Sequence, residues 1–384
     1  MGINDSRGTG IHSVTVVDPN YSGSDGGNNW LRAISHWGRS SEAIEQMSQP
    51  LLVVRDLHVE IHTSRGLLKA IRGISLDLAA GDSIGIVGES GSGKSITLKA
   101  ILGLLPKNAK VTRGEIYLEG VLLNSLSASK RSELLAEKIG IVFQDAITAL
   151  NPVMTVGNQI AEIPRRRLGW SKEKSHQRAI ELMQLVGIPE AEARFHVYPH
   201  QLSGGLRQRV AIAIALSGKP QLMFCDEPTT ALDVTIQAQV LRLLLDLREQ
   251  ENMGIAFVTH DLAVVNEICD RINVMYAGRF VETGSVQESF SHPSHPYTYS
   301  LLKSAPDMEH QVERLFSISG EAPDLTQAVT GCPFSPRCFA STEICRNVEP
   351  ELLKIGSSLS ACHHSQTFMQ ALATTDLLRN GVGN

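Results

Sequence analysis

The stretch Gly88-Glu89-Ser90-Gly91-Ser92-Gly93-Lys94-Ser95 constrains this chain more than any other. A short apolar run, Ser83–Val87, leads into it, and a helix-patterned run, Ile96–Leu105, leads out toward Pro106. Glycines at 88, 91 and 93 let the backbone turn its N–H groups inward, a geometry that side-chain-bearing residues resist. The following helix adds the partial positive charge of its N-terminus at the same point. The spacing G-x-x-x-x-G-K-S therefore builds a cradle for phosphate groups. Lys94 is placed to reach the β- and γ-phosphates of a nucleotide, and Ser95 to ligate Mg²⁺ through its hydroxyl. Strand, loop and helix in this order form one unit of a parallel α/β sheet.

The rest of the chain supplies the remaining units. Leu222–Cys225, Ile255–Val258 and Ile272–Met275 are strand-like, with helical patterns between them, including Ile236–Glu251. Upstream, Leu51–Ile61 and Ile71–Leu78 read as strands joined by a turn at Ser64-Arg65-Gly66, and Ile139–Phe143 as a short buried strand. From about 145 to 205 strand-like runs vanish. There Ser171 is set to cap a helix carrying Ile180, Leu182, Met183, Leu185 and Val186, with Gly187 ending it. Residues 1–48 are rich in Gly, Ser and Asn and read as a disordered extension. Beyond about 285, prolines at 293, 296, 306, 323, 333, 336 and 350 mark a separate, loop-rich region.

Composition excludes several classes. A hydrophobic content of 42% is that of a globular chain. The balance of 35 basic against 40 acidic residues, net −5, gives no footprint for nucleic acid. The longest apolar run is Val210–Leu216, far short of a membrane span. No apolar core behind a basic start marks a secretory signal.

A second chemical feature is Leu222-Met-Phe-Cys-Asp226-Glu227, an apolar strand that delivers two carboxylates at its end. Asp226 is suited to hold Mg²⁺, directly or through water, and Glu227 to polarise an attacking water. Cradle and carboxylates together indicate hydrolysis of a nucleoside triphosphate.

Leu202-Ser203-Gly204-Gly205-Leu-Arg-Gln-Arg209 narrows the class. Ser203 and the backbone of Gly204 and Gly205 are donors at the start of a helix, an anion site in themselves. The segment resembles the signature motif of ABC-transporter ATPases, which in that family binds the γ-phosphate held by the opposite subunit. The resemblance implies further roles in chain order. Gln144 resembles the Q-loop glutamine, sensing Mg²⁺ and the attacking water and coupling to membrane subunits. Ala231-Leu-Asp233 resembles the D-loop at the dimer interface, and His260 the switch histidine that contacts the γ-phosphate. The implied fold is an α/β P-loop NTPase of the ABC cassette type. It would have a parallel-sheet core, an antiparallel β subdomain, a helical insert at about 145–205 and a loop-rich C-terminal extension. The cassette would span 49–285, the extension 286–366 and a tail 367–384. Its ligands would be ATP and Mg²⁺, the ion held by Ser95, Gln144 and Asp226. The family stacks an aromatic on adenine, where this chain has Val59-Glu-Ile61-His62, so Ile61 or His62 is left to cover the base. In that family each ATP site joins one chain's phosphate loop to another's signature motif, so the resemblance implies that the chain pairs with itself or a paralogue.

His292-Pro-Ser-His-Pro-Tyr297-Thr-Tyr-Ser-Leu-Leu302 and Gly331-Cys332-Pro-Phe-Ser-Pro-Arg337-Cys338, through Cys345 to Ala361-Cys362-His363-His364, carry a finer resemblance. They are similar to the C-terminal extension of the oligopeptide and dipeptide importers, a branch shared with nickel and glutathione importers. This implies two integral-membrane permease subunits, an extracytoplasmic solute-binding protein, and peripheral attachment at the cytoplasmic face of the cell (inner) membrane. The cargo would be short peptides, with nickel or glutathione as the alternative. A soluble ABC ATPase acting on nucleic acid or ribosomes fits poorly, because the 57 residues between Gln144 and Leu202 leave no room for a coiled-coil arm. Exporter cassettes would not be expected to carry this extension.

The four extension cysteines follow C-x5-C-x6-C-x16-C. Thiols this dense in a loop-rich segment are a metal-ligand pattern. Zn²⁺ accepts four thiolates tetrahedrally, a [4Fe–4S] cluster also takes four, and unligated thiols are the third reading. The resemblance favours the cluster, since members of the branch with these cysteines can carry one. His363 and His364 read as exposed polar residues or partial substitutes, and Cys225 and Cys269 as small buried hydrophobes.

Overall fold

The computed structural model describes residues 50–144, 149–229, 234–304 and 317–380. The Gly/Ser/Asn-rich segment 1–48 and Asp233 lie outside the described residues.

β1 (Pro50–Thr63) and β2 (Gly66–Ala79) form a long antiparallel hairpin that turns at the expected Arg65. β3 (Ser83–Val87) follows, then the glycine-rich loop and a helix, Lys94–Ile101. That helix stops sooner than the apolar run to Leu105 suggests. Gly103 takes the left-handed conformation (φ 68°) that ends helices, and Leu104 is 49% exposed. β4 (Ala109–Leu118) and β5 (Val121–Leu122) complete a four-stranded antiparallel sheet of order β2-β1-β4-β5.

The main sheet gathers β6 (Ile139–Val142), β7 (Leu222–Asp226), β8 (Gly254–Thr259), β9 (Arg271–Tyr276) and β10 (Arg279–Ser285) around β3. Its order is β11-β12-β10-β9-β3-β8-β7-β6, where β11 is Leu353–Ile355 and β12 Ser358–Ser360. β9, β3, β8, β7 and β6 run parallel. Every residue of β3, β7 and β8 is buried, as expected of strands covered on both faces. Met223 and Cys225 face one apolar core, and Leu222 and Phe224 the other. Because these strands are parallel, the residues after β3, β6, β7 and β8 emerge at one edge of the sheet, where open α/β sheets bind ligands.

Between β6 and β7 the chain is helical: Val156–Arg166, Lys172–Leu185, a turn Ala191–Arg194, and Gly204–Ser217. Ser171 caps the second helix by accepting from the Lys174 N–H at 3.2 Å, and Gly187 takes φ 71°. Ile180, Leu182, Met183 and Val186 are buried, whereas Leu185 falls off that face and is 43% exposed.

The proline-rich region does not stand apart. β12 pairs with β10, so the C-terminal segment extends the main sheet by two strands. Tyr297 and Phe334 are buried in the cassette's own core and pack on Tyr276, with ring centroids 4.6 and 5.3 Å from it. The His-Pro motif is an anchor: the fully buried Glu282 carboxylate accepts the Ser294 and His295 N–H groups at 3.0 and 2.9 Å. Burial pushes the Glu282 carboxyl up to about 7 and pulls His295 down to about 3. Neutral His295 accepts the Tyr297 N–H through Nδ1 at 3.0 Å, at the start of the helix Pro296–Ser304.

Glu282 therefore keeps its proton to higher pH in the fold than the 4.5 of an unperturbed glutamate. Its contribution to stability is full below that value and is lost as pH rises through about 7. Glu282→Gln, which stays neutral, is expected to flatten the fall in Tm between about pH 5 and 8. An unaltered slope in thermal melts would remove Glu282 as its source.

Candidate active site

The glycines of the loop are fixed by close approach. A Cβ on Gly88 (φ 153°) would lie 2.2 Å from the Met275 carbonyl oxygen. One on Gly93 (φ 113°) would lie 2.8 Å from Met275 Cε and 2.9 Å from Ile71 Cδ1. The loop thus folds against β9 and β2 with its backbone bare. Lys94 is buried, and its Nζ donates to the carbonyls of Gly88 and Glu89 at 2.6 and 3.0 Å. Burial lowers the Lys94 pKa, and the carboxylates of Glu227, Asp226 and Glu89 oppose that. Ser92 Oγ is buried without a hydrogen-bond partner, a polar atom suited to an anion.

Below the loop, Ser95 Oγ donates to Asp226 Oδ1 at 2.9 Å. Asp226 is 7% exposed; burial raises its pKa, and the Ser95 hydroxyl bond pulls it back. A hydroxyl and a carboxylate this close are the hard oxygen donors Mg²⁺ takes, so the residues fit that ion.

Glu227 leaves β7 in the left-handed region (φ 47°), strained for a residue with a side chain. Its N–H donates to the Val258 carbonyl at 2.8 Å, which pins the turn to β8. Its carboxylate accepts from Gln144 Nε2 at 2.8 Å on one oxygen and lies 3.1 Å from His260 Nδ1 on the other. Three residues read separately from the sequence, after β6, β7 and β8, thus meet on one carboxylate.

The signature segment is placed differently. Ser203 caps the helix Gly204–Ser217, accepting from the Leu206 N–H at 3.4 Å. Ser203 and Gly204 are exposed, and Gly205 is half-buried. Among the described residues no hydrogen bond ties any of the three to the loop 88–95. Ile61 is half-buried and His62 exposed near the end of β1. Cys225 and Cys269 are buried, and burial pushes both thiols up.

Glu89 is held by residues the sequence reading did not connect to it. Its N–H donates to Tyr297 Oη at 2.8 Å, and its carboxylate takes both terminal nitrogens of Arg337 at 2.6 and 2.8 Å. The signal lay in the His-Pro-Tyr and Pro-Arg-Cys motifs, but nothing in their spacing points to a partner 208 or 248 positions away.

The four extension thiols lie near one another. Cys332 and Cys338 are each pushed up to about 11, by burial first and then by the neighbouring thiols. The Cys332 N–H donates to the Cys345 carbonyl at 2.7 Å. Among the described residues no three Cys, His, Asp or Glu group as the ligands of a metal ion would. His364 Nε2 pairs with Thr342 Oγ1 at 2.8 Å and His363 Nε2 with the Val348 carbonyl at 2.9 Å, so both imidazoles are engaged elsewhere.

The sequence matches the ABC transporter family over residues 71–230 and the oligopeptide/dipeptide transporter C-terminal region over 281–345. The dipeptide transport ATP-binding protein DppD of Haemophilus influenzae is 46% identical over 313 residues, covering 82% of this chain and 95% of that one. The chain belongs to the ABC transporter ATPases. The oligopeptide transport ATP-binding protein OppD of Bacillus subtilis is 47% identical over 310 residues, covering 80% of this chain and 87% of OppD. The dimeric ATP-binding cassette MJ0796, solved in a post-hydrolysis state with ADP and phosphate, superposes with a TM-score of 0.56 at 30% identity. It covers 61% of this chain and 98% of that cassette, and this chain, like it, is an ABC ATPase.

Proposed function

We propose that this chain is the energy-coupling subunit of an importer for di- and oligopeptides. The observation that carries the catalytic part is the convergence of Gln144 and His260 on the Glu227 carboxylate beside the phosphate cradle. ATP lies in the loop 88–95, with Lys94 exchanging its two carbonyl partners for phosphate oxygens and Ser92 and the backbone donating beside it. Ser95, Asp226 and Gln144 would hold Mg²⁺, which would supply charge neutralisation of the phosphates. Glu227 polarises water and accepts its proton, while Gln144 and His260 aim the carboxylate. A second ATPase chain, a copy or a paralogue, brings its Ser203, Gly204 and Gly205 to the γ-phosphate, and Asp233 lies at that contact. Solvent-facing Ser203 and Gly204 support this reading.

No described helix is long and apolar enough to cross a membrane. We place the chain at the cytoplasmic face of the cell membrane, docked on two integral-membrane permease subunits fed by an extracytoplasmic solute-binding protein. The cassette spans 49–285 and the extension 286–366. Peptide cargo follows the names of DppD and OppD. The test is uptake of labelled di- and oligopeptides, beside Ni²⁺ and glutathione, in cells deleted for the chain and in the complemented strain. Selective loss and recovery of peptide uptake is expected. Loss of nickel or glutathione uptake alone would keep the machine and replace its cargo.

We assign Cys332, Cys338, Cys345 and Cys362 to a [4Fe–4S] cluster that staples the extension. Cys332→Ser is expected to lower bound iron and the visible absorbance of protein purified without oxygen. Iron and absorbance equal to wild type would sink the assignment.

A further inference from the structure

Glu89 is an oddity in a loop built to receive phosphate. A carboxylate there repels the polyphosphate unless its charge is cancelled. The carboxylate is cancelled from the C-terminal segment, by the two-pronged bond to Arg337. This is not an incidental surface pair. The Arg337 side chain is 5% exposed, and its remaining donors go to the carbonyls of Ser319 and Ile318 at 3.0 and 3.2 Å and to Tyr276 Oη at 3.3 Å. A guanidinium fixed on several sides loses little freedom when it grips a carboxylate. The Glu89 N–H is held as well, by the hydroxyl of the buried Tyr297. The Glu89 N–H and carboxylate thus both face the extension, whose Tyr297 and Phe334 pack on Tyr276 of β9.

We propose that Arg337 and Tyr297 are positioning residues for the nucleotide. Arg337 neutralises Glu89 and Tyr297 fixes its amide, so the phosphate loop takes its receptive shape only when the C-terminal segment is in place. The proposal rests on loop 88–95 being the ATP site. It adds that ATP affinity is set partly by a segment whose next residue, Cys338, is one of the four thiols.

The test is binding of a fluorescent ATP analogue with Mg²⁺ to the full chain, with thermal melts of each variant. Arg337→Ala is expected to weaken binding about tenfold, because it leaves a unit charge facing an anion. Adding Glu89→Gln to Arg337→Ala should recover most of that loss, since the stranded charge is gone. Arg337→Lys should fall between wild type and Arg337→Ala. Tyr297→Phe removes only the hydroxyl and should weaken binding about threefold, with the melt lowered by no more than the loss of one hydrogen bond. If Arg337→Ala is too unstable to assay, Arg337→Lys with and without Glu89→Gln carries the same comparison. A merely structural arginine would give a double variant as weak as the single one, and that result overturns the proposal. So does wild-type affinity in Arg337→Ala. Lys94→Ala separates the two readings: if it binds ATP normally the site itself is misplaced, and if it alone loses ATP only the role of Arg337 and Tyr297 fails.

Discussion

Glu227→Gln is expected to bind ATP at close to wild-type affinity and to lose at least ~100-fold of its turnover, the usual worth of a positioned general base. The change is nearly isosteric. Gln144 Nε2 and His260 Nδ1, now 2.8 and 3.1 Å from the two carboxylate oxygens, keep one oxygen to address. The Lys94 and Ser95 contacts to the loop and to Asp226 do not involve the Glu227 side chain. What disappears is the capacity to take a proton from water. The backbone of the turn is held by the 227 N–H bond to Val258, so the left-handed conformation survives the substitution. Nucleotide binding and steady-state ATPase rates in the assembled transporter check both halves. Normal hydrolysis with glutamine at 227 would mean that another group activates the water.

Much of this site was legible because the chemistry sits at strand ends. β3, β7 and β8 are short, mostly apolar runs, and their length and flanking turn residues favour buried strands of a parallel sheet over helix segments. Once they are parallel, Gly88, Glu227 and His260 must share an edge, and the resemblance of Gln144 to a Q-loop glutamine added the fourth member. β4 escaped because in its sequence, Ala-Lys-Val-Thr-Arg-Gly-Glu-Ile-Tyr-Leu, polar residues and a glycine break up the apolar ones; pairing with β1, rather than its own apolar pattern, makes it a strand. β10 escaped for a related reason: Glu282 interrupts its apolar run, yet the carboxylate is buried because two backbone N–H groups meet it. The extension looked separate because proline and short elements hide long-range packing. Tyr297 and Arg337 reach across 208 and 248 positions to a single loop residue, a pairing that local pattern cannot encode.

Lys94→Ala should have the opposite signature to Glu227→Gln: ATP binding itself weakens, by on the order of 100-fold, the worth of about 3 kcal/mol of charge-assisted hydrogen bonds. The ammonium is buried among its own loop carbonyls, contacts that phosphate oxygens would replace. It is also the cation that the carboxylates of Glu227, Asp226 and Glu89 act on. Remove it and those acids are left beside the polyphosphate with less to offset them, so the loss exceeds that of a neutral donor. Lys94→Arg should not restore binding, because a planar fork cannot occupy a pocket shaped by Gly88 and Glu89 around a single nitrogen. Equilibrium binding of ATP with Mg²⁺ on the two lysine variants and on Glu227→Gln distinguishes the roles. Lysine variants that bind ATP normally would mean that the loop 88–95 is not where the nucleotide is held.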